Sequence, residues 1–190
     1  MKKKSGSPGF FFVAIIMVMR TVYLARHGVT DWNQGKIVMG QTDVPLNEEG
    51  REQARKLAEE LADVKFDRCY SSPLSRASET AEIVKSLNKA GFEIVTDTRL
   101  IELFAGSIQG KAASDWAKYD DGTRESDMDI LSRAKSFCDN ELETAPDGST
   151  ILIVSHSGLL KNLRHCLLCK DGPVDYSVWL SNCEYMKFEY

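Results

Sequence analysis

Ile151-Leu-Ile-Val154 is an unbroken apolar run, bounded by Asp147-Gly148 before it and by Ser155-His156-Ser157-Gly158 after it. A run this short between turn signals reads as a strand buried on both faces, so the chain must supply a covering layer on each side. It has the parts to do so. Strand signals rich in β-branched and aromatic residues occur at 21–25, 66–70 and 93–96, with a terminal pair at 177–180 and 184–188. Helices are expected over 47–61, 74–89, 126–142 and 159–168, the first opened by Asn47 as N-cap and the second stopped by Gly91. Strand–helix alternation with short joins predicts an α/β fold, a three-layer α/β/α sandwich on a mostly parallel central sheet.

A chain of 190 residues suits one domain with a sizeable core. Residues 20–190 are expected to form it, with a small cap-like region embedded at about 100–144. Residues 1–19 stand apart: Met1-Lys-Lys-Lys4 is basic and 10–19 is apolar. The apolar run falls well short of the roughly 20 residues that span a bilayer, and no small-residue cleavage site follows it. It reads as an extension ahead of a start at Met17 or Met19, or as a segment packed on the body, with a targeting signal as the competing reading; no membrane partner is expected.

A formal charge of -4 argues against a surface built to hold nucleic acid, while leaving room for a locally positive cleft. The five cysteines are odd in number and irregularly spaced, which suits a reducing compartment and a cytoplasmic protein. Cys166-Leu-Leu-Cys169, even with His165 beside it, supplies too few ligands for zinc.

Two distant strands each end in histidine, Ala25-Arg26-His27-Gly28 and Val154-Ser155-His156-Ser157-Gly158. Ligands bind at the carboxyl ends of strands in open α/β sheets, and two such ends in a parallel sheet can bring both imidazoles to one crevice. A neutral imidazole nitrogen can attack phosphorus if positive groups offset the charge on the non-bridging oxygens. The rigid fork of Arg26 can hold two of those oxygens, and Gly28 allows the chain to pass close to a phosphate.

These residues join an ordered series of blocks: Arg26-His27-Gly28, Thr30, Trp32-Asn33, Gly40-Gln41-Thr42-Asp43-Val44-Pro45-Leu46, Ser71-Ser72-Pro73-Leu74-Ser75-Arg76-Ala77, and Val154 to Gly158. From about Arg20 to the C-terminus the chain resembles the histidine phosphatase superfamily, the phosphoglycerate mutase-like proteins. The resemblance implies that His27 is the nucleophile, that Arg26 and Arg76 grip phosphate, and that His156 completes a positively charged pocket. It further implies phosphate or substrate contacts from Asn33 and Thr42, and Glu102 as proton donor to the leaving alcohol and then base for water. From the residues alone Asp31, Asp43 and Asp97 remain alternatives to Glu102.

Two positions depart from the family pattern: Val29 replaces a residue that is commonly Glu or polar, and Gln109 replaces a common Glu. Both bear on substrate more than on reaction. Trp116 and Tyr119 are candidates for contact with the leaving group, whereas the alternation at 177–180 assigns Trp179 to the core. The short embedded region favours a phosphatase over a cofactor-dependent mutase with its larger cap. A catalytically weak phospholigand-binding relative is the alternative from another class, and the intact set of site residues opposes it. No metal and no cofactor are expected, since the arginines and histidines provide the positive charge. The expected partner is a small phosphorylated metabolite such as a phosphosugar, phosphoglycerate, phosphoserine or a cobalamin nucleotide-loop intermediate. Homodimerisation is compatible with the sequence.

Overall fold

A computed structural model describes residues 19–190 apart from 120, 169 and 170. The expectations for 1–18 and for Cys169 fall outside the described residues. The strands are β1 (Thr21–Arg26), β2 (Arg68–Ser71), β3 (Ile94–Thr96), β4 (Thr150–Ser155) and β5 (Tyr185–Glu189). They form one sheet in the order β3-β2-β4-β1-β5, parallel except for β5, which runs antiparallel to β1 at an edge.

The helices are α1 (Asp31–Gln34), α2 (Glu48–Glu60), α3 (Ser75–Leu87), α4 (Trp116–Tyr119), α5 (Asp127–Phe137) and α6 (Ser157–Leu167). The apolar run of β4 does what its composition requires. Leu152 and Val154 pack on one face with Leu57, Leu61, Ala77 and Val84 of α2, α3 and their flanks. Ile151 and Ile153 pack on the other with Ile130, Phe137, Leu159 and Leu163 of α5 and α6. The result is the expected three-layer α/β/α sandwich. Leu152 and Ile153 have no exposed surface, so truncating either to Ala would cost about 2–5 kcal/mol.

Local signals explain most element boundaries. Asn47 caps α2 by accepting from the Gly50 N–H at 2.9 Å. Helix α3 stops at Leu87, earlier than Gly91 predicts, because Asn88 Nδ2 turns to the Leu61 and Val64 carbonyls while its Oδ1 takes the Ala90 and Gly91 N–H groups. The helix expected over 126–142 is two pieces, α5 and a π-helical segment, Cys138–Leu142.

One expected strand is absent. Residues 177–180 do not pair, since the Asp175 carboxylate takes both the N–H and the hydroxyl of Ser177 in a local turn that competes with a ladder. Trp179 is consequently 62% exposed, not core. Between β3 and α5 the described residues make short turns, the 3-10 segments Thr98–Leu100, Gly106–Ile108 and Ala113–Asp115 and then α4. Among the described residues no helix is long and apolar enough to cross a membrane.

Candidate active site

β1 and β4 are parallel neighbours with Arg26 opposite Ser155, so the residue after each strand is a histidine, and the two lie side by side. The ring centroids of His27 and His156 are 5.0 Å apart, tilted by 56°. The His27 backbone extends the ladder, its N–H donating to Ser155 O at 3.0 Å. Asn182 Nδ2 donates to the His27 carbonyl at 2.9 Å.

His27 Nδ1 lies 2.7 Å from Gly28 O. A carbonyl only accepts, so this contact assigns the proton to Nδ1 and leaves the Nε2 lone pair free. Burial, then Arg76 and Arg26, hold the His27 pKa well below the ordinary histidine value, which keeps the ring neutral and nucleophilic at pH 7.

Packing alone requires glycine at position 28. A Cβ there would stand 2.5 Å from Gly50 O, so the first turn of α2 packs directly on the neighbour of His27. The Gly28 N–H donates to Thr80 Oγ1 at 3.1 Å.

Arg76 lies in the first turn of α3 with no exposed surface. Its Nη1 donates to Thr42 O at 3.0 Å, Nη2 to Gly40 O at 2.9 Å, and Nε to His156 Nδ1 at 3.2 Å. Three of the guanidinium's five N–H groups are thereby committed, which fixes the fork and leaves two to bind. Burial lowers its pKa to about 10, still cationic at neutrality. Arg26 donates from Nη1 to Leu180 O at 2.8 Å and lies 5.1 Å from the Trp179 ring centroid. Its Nε is buried without a partner among the described residues, a donor available to an anion.

His156 stands beside Arg76 and Ser72. Its Nδ1 accepts from Arg76, and Nε2 sits 2.8 Å from Ser72 Oγ. Burial, followed by Arg76, depresses its pKa well below the histidine value. It is neutral, and it orients Arg76 and backs His27.

The cavity above these groups has a volume of about 340 Å³ and is lined by Arg26, His27, Asn33, Arg76 and Glu102, with apolar walls that include Met39, Leu103 and Trp116. Glu102 is the one carboxylate among the lining residues. Asp43 caps α3 through Ser75, Asp97 pairs with Arg99, and Asp31 holds Asn47, so none of the alternatives reaches the cavity. Glu102 Oε1 accepts from Leu103 N at 2.9 Å and Oε2 from Gly158 N at 3.3 Å, the latter in the first turn of α6. A Cβ on Gly158 would stand 2.6 Å from Glu102 Oε1. The carboxylate needs that space.

Asn33 lines the cavity, and its Oδ1 is occupied by the Thr30 N–H at 3.1 Å, so Nδ2 is its donor toward the cavity. Thr42 is not a lining residue and contributes only its carbonyl, to Arg76. Trp116 lines the cavity; Tyr119 does not, and its ring instead receives Lys111 and Lys118. Val29 is packed under the α2 entrance, its N–H on Gln53. Gln109 accepts from Gln41 N at 2.8 Å, and Gln41 Nε2 in turn donates to the Glu102 carbonyl at 3.0 Å.

Sequence reasoning did not find Ser157, Lys161, Tyr176 and Trp179 in this wall. The Lys161 ammonium lies 4.4 Å from the Trp179 ring centroid and 5.8 Å from that of Tyr176. A signal for Lys161 existed: it is one helical turn beyond Ser157, on the same face. Another cavity, about 440 Å³, lies by the amino ends of β2 and β4 among Asp67, Arg68, Glu141 and Asp147. Neither His27 nor His156 lines it.

Among the described residues no group of three or more His, Cys, Asp or Glu side chains is placed to hold a metal ion. The positive charge in the cavity wall comes from Arg26, Arg76 and Lys161.

The model of the histidine phosphatase superfamily, branch 1, matches residues 22–190. Phosphoglycerate mutase-like protein 4 of Arabidopsis thaliana is 33% identical over 159 residues, covering 75% of this chain and 68% of the relative. A mycobacterial glucosyl-3-phosphoglycerate phosphatase in complex with VO3 is 27% identical with a TM-score of 0.74, over 88% of this chain and 92% of that one. The phosphoserine phosphatase of Entamoeba histolytica in complex with 3-phosphoglyceric acid is 28% identical with a TM-score of 0.73, over 90% of each chain. A match that begins in β1 and runs to the last residue takes in both strand-end histidines, Arg76 and Glu102, and with it this chain belongs to the histidine phosphatase superfamily.

Proposed function

We propose that this protein hydrolyses a small phosphomonoester through a phosphohistidine formed on His27, without a metal ion. The observation that carries the reading is a neutral His27 with its Nε2 free, in one cavity with the unpartnered Arg26 Nε, the half-committed Arg76 fork and Glu102 as the only lining carboxylate.

The Nε2 lone pair attacks phosphorus as the P–O ester bond breaks, and a proton held by Glu102 passes to the leaving oxygen. Arg26 and Arg76 meet the charge on the non-bridging oxygens, with Asn33 Nδ2 as a further donor. Water then attacks phosphorus, giving its proton to the Glu102 carboxylate, while the P–N bond breaks and His27 returns to its neutral form. His156 keeps Arg76 in register throughout.

Hydrolysis is favoured over mutase chemistry by the openness of the rim. Trp179 is 62% exposed at the cavity wall, so water has access to the phosphoenzyme. The leaving group would rest against the apolar wall and Trp116, and Lys161 offers a positive charge beside it. The likeness to a mycobacterial glucosyl-3-phosphoglycerate phosphatase and an Entamoeba phosphoserine phosphatase supports a small phosphorylated metabolite as substrate.

The test is a screen of phosphomonoesters in the presence of chelator, wild type beside His27→Ala. Phosphate release by the wild type and its loss in His27→Ala are expected. Full turnover by His27→Ala, or dependence on added Mg²⁺, contradicts the reading. Isomerisation of monophosphoglycerates stimulated by 2,3-bisphosphoglycerate favours the mutase.

A further inference from the structure

Glu102 sits on a stretch of chain with little structure of its own, between a 3-10 turn that ends at Leu100 and the next turn at Gly106. Its side chain is held by two backbone N–H groups, one of them as long as 3.3 Å. A group that must deliver a proton to one defined oxygen needs firmer placement.

The placement comes from α5. Arg133 Nη1 donates to Arg99 O at 2.8 Å and to Ile101 O at 2.6 Å, and Nη2 donates to Glu102 O at 3.2 Å. The other edge of the same guanidinium grips Glu125, Nε on Oε1 at 2.6 Å and Nη2 on Oε2 at 2.9 Å. These contacts occupy all five N–H donors of the side chain. Glu125 is itself tied to the segment after Glu102, accepting from Phe104 N at 3.1 Å and donating from its own N–H to Phe104 O at 2.8 Å. Both side chains are largely buried, 17% and 14% exposed.

We propose that Arg133, fixed by Glu125, is a positioning residue that sets the catalytic geometry of Glu102 by binding the backbone carbonyls of the segment that carries it. The inference rests on Glu102 being the proton donor. Lysine cannot replace the arginine, because a point charge with three donors cannot span three carbonyls and a carboxylate in one plane. A purely structural ion pair would have no reason to place three donors on residues 99–102.

The test compares kcat/KM, which reports phosphoryl transfer from substrate, for an alkyl phosphate that needs a proton on departure and for 2,4-dinitrophenyl phosphate, which does not. Arg133→Met, Arg133→Lys and Glu125→Gln should each reduce kcat/KM for the alkyl phosphate, Arg133→Met by about 100-fold, the scale of an ångström-sized misplacement. The dinitrophenyl ester should change by less than about 3-fold. In a Glu102→Gln background, Arg133→Met should add no more than about 2-fold, because residues that act through one another are not additive.

Equal losses on both substrates, or a full additional loss in the Glu102→Gln background, overturn the proposal. If Arg133→Met does not fold, Glu125→Gln carries the same prediction while keeping one carbonyl acceptor for the guanidinium. Phosphohistidine on His27 of the wild type is measured in parallel. Its absence refutes the hydrolytic mechanism, whereas its presence with uniform losses refutes only the role of Arg133.

Discussion

Gly158→Ala should make the protein slightly more stable and markedly less active. Gly158 is the second residue of α6 and has a helical backbone without positive φ, so alanine fits the main chain. Replacing glycine in a helix gains up to about 1 kcal/mol, which in a chain of this length raises Tm by about 2–4 °C. The new methyl would stand 2.6 Å from Glu102 Oε1, 3.4 Å from its Cδ and 3.5 Å from Leu103 Cβ. The nearest of these atoms belongs to a side chain that can swing away, so the cost in stability is small. The carboxylate has to leave the Gly158 N–H, and with it the position that the proposed proton transfer to the leaving oxygen requires. A displacement of about 1 Å corresponds to a loss of about 100-fold in kcat/KM on alkyl phosphates. Differential scanning calorimetry and steady-state kinetics on the same preparation check both signs. Full activity toward alkyl phosphates would mean that Glu102 is not the acid, and a Tm lowered by several degrees would mean that α6 moves and the side chain does not.

Arg76→Lys should lose both stability and activity: the fork over Gly40 O, Thr42 O and His156 Nδ1 cannot be rebuilt, and each buried acceptor left alone costs about 1–3 kcal/mol. Chemical denaturation measures the first loss, and kcat/KM should fall by about 100–1000-fold as one oxyanion donor goes. Stability should also fall with acid in a defined window. His27 and His156 have folded-state pKa values held below the ordinary 6.5, so the unfolded chain binds more protons below pH 6.5, and the stabilisation present above that pH is lost as pH drops toward the folded values. Each histidine contributes a slope of up to about 1.4 kcal/mol per pH unit there; urea midpoints measured from pH 7 to 5 should fall, less steeply in His156→Gln, and a flat profile would contradict the neutral assignment.

The layered fold is legible because the apolar core of β4 has no polar face and because strand signals alternate with helix signals along most of the chain. The pairing of His27 with His156 follows from the same logic, since in-register parallel strands place their next residues together. The sequence singles out Glu102 only through the family resemblance; nothing local distinguishes it from Asp31 and Asp43, whose partners are distant in sequence, or from Asp97, which pairs with Arg99 two residues on. Trp179 was misassigned because alternation at 177–180 resembles an edge strand, while the Asp175 carboxylate had already closed a turn there. The packing of Gly28 against Gly50 has no sequence signal, because its neighbour arrives from another helix. The Arg133 contacts to residues 99–102 span more than thirty positions with no periodic mark, and only the folded chain brings them together.

The central claim, a phosphoryl group held on His27, is tested most directly by rapid acid-free quenching of the enzyme with ³²P-labelled dinitrophenyl phosphate, followed by base treatment, peptide mapping and mass spectrometry. The account predicts a base-stable, acid-labile label on the peptide that contains Arg26-His27-Gly28, absent in His27→Ala and accumulating in Glu102→Gln, whose dephosphorylation is slowed. Turnover of the same substrate with no label on His27 at any time point would contradict it, as direct attack by water would leave the histidine unmodified.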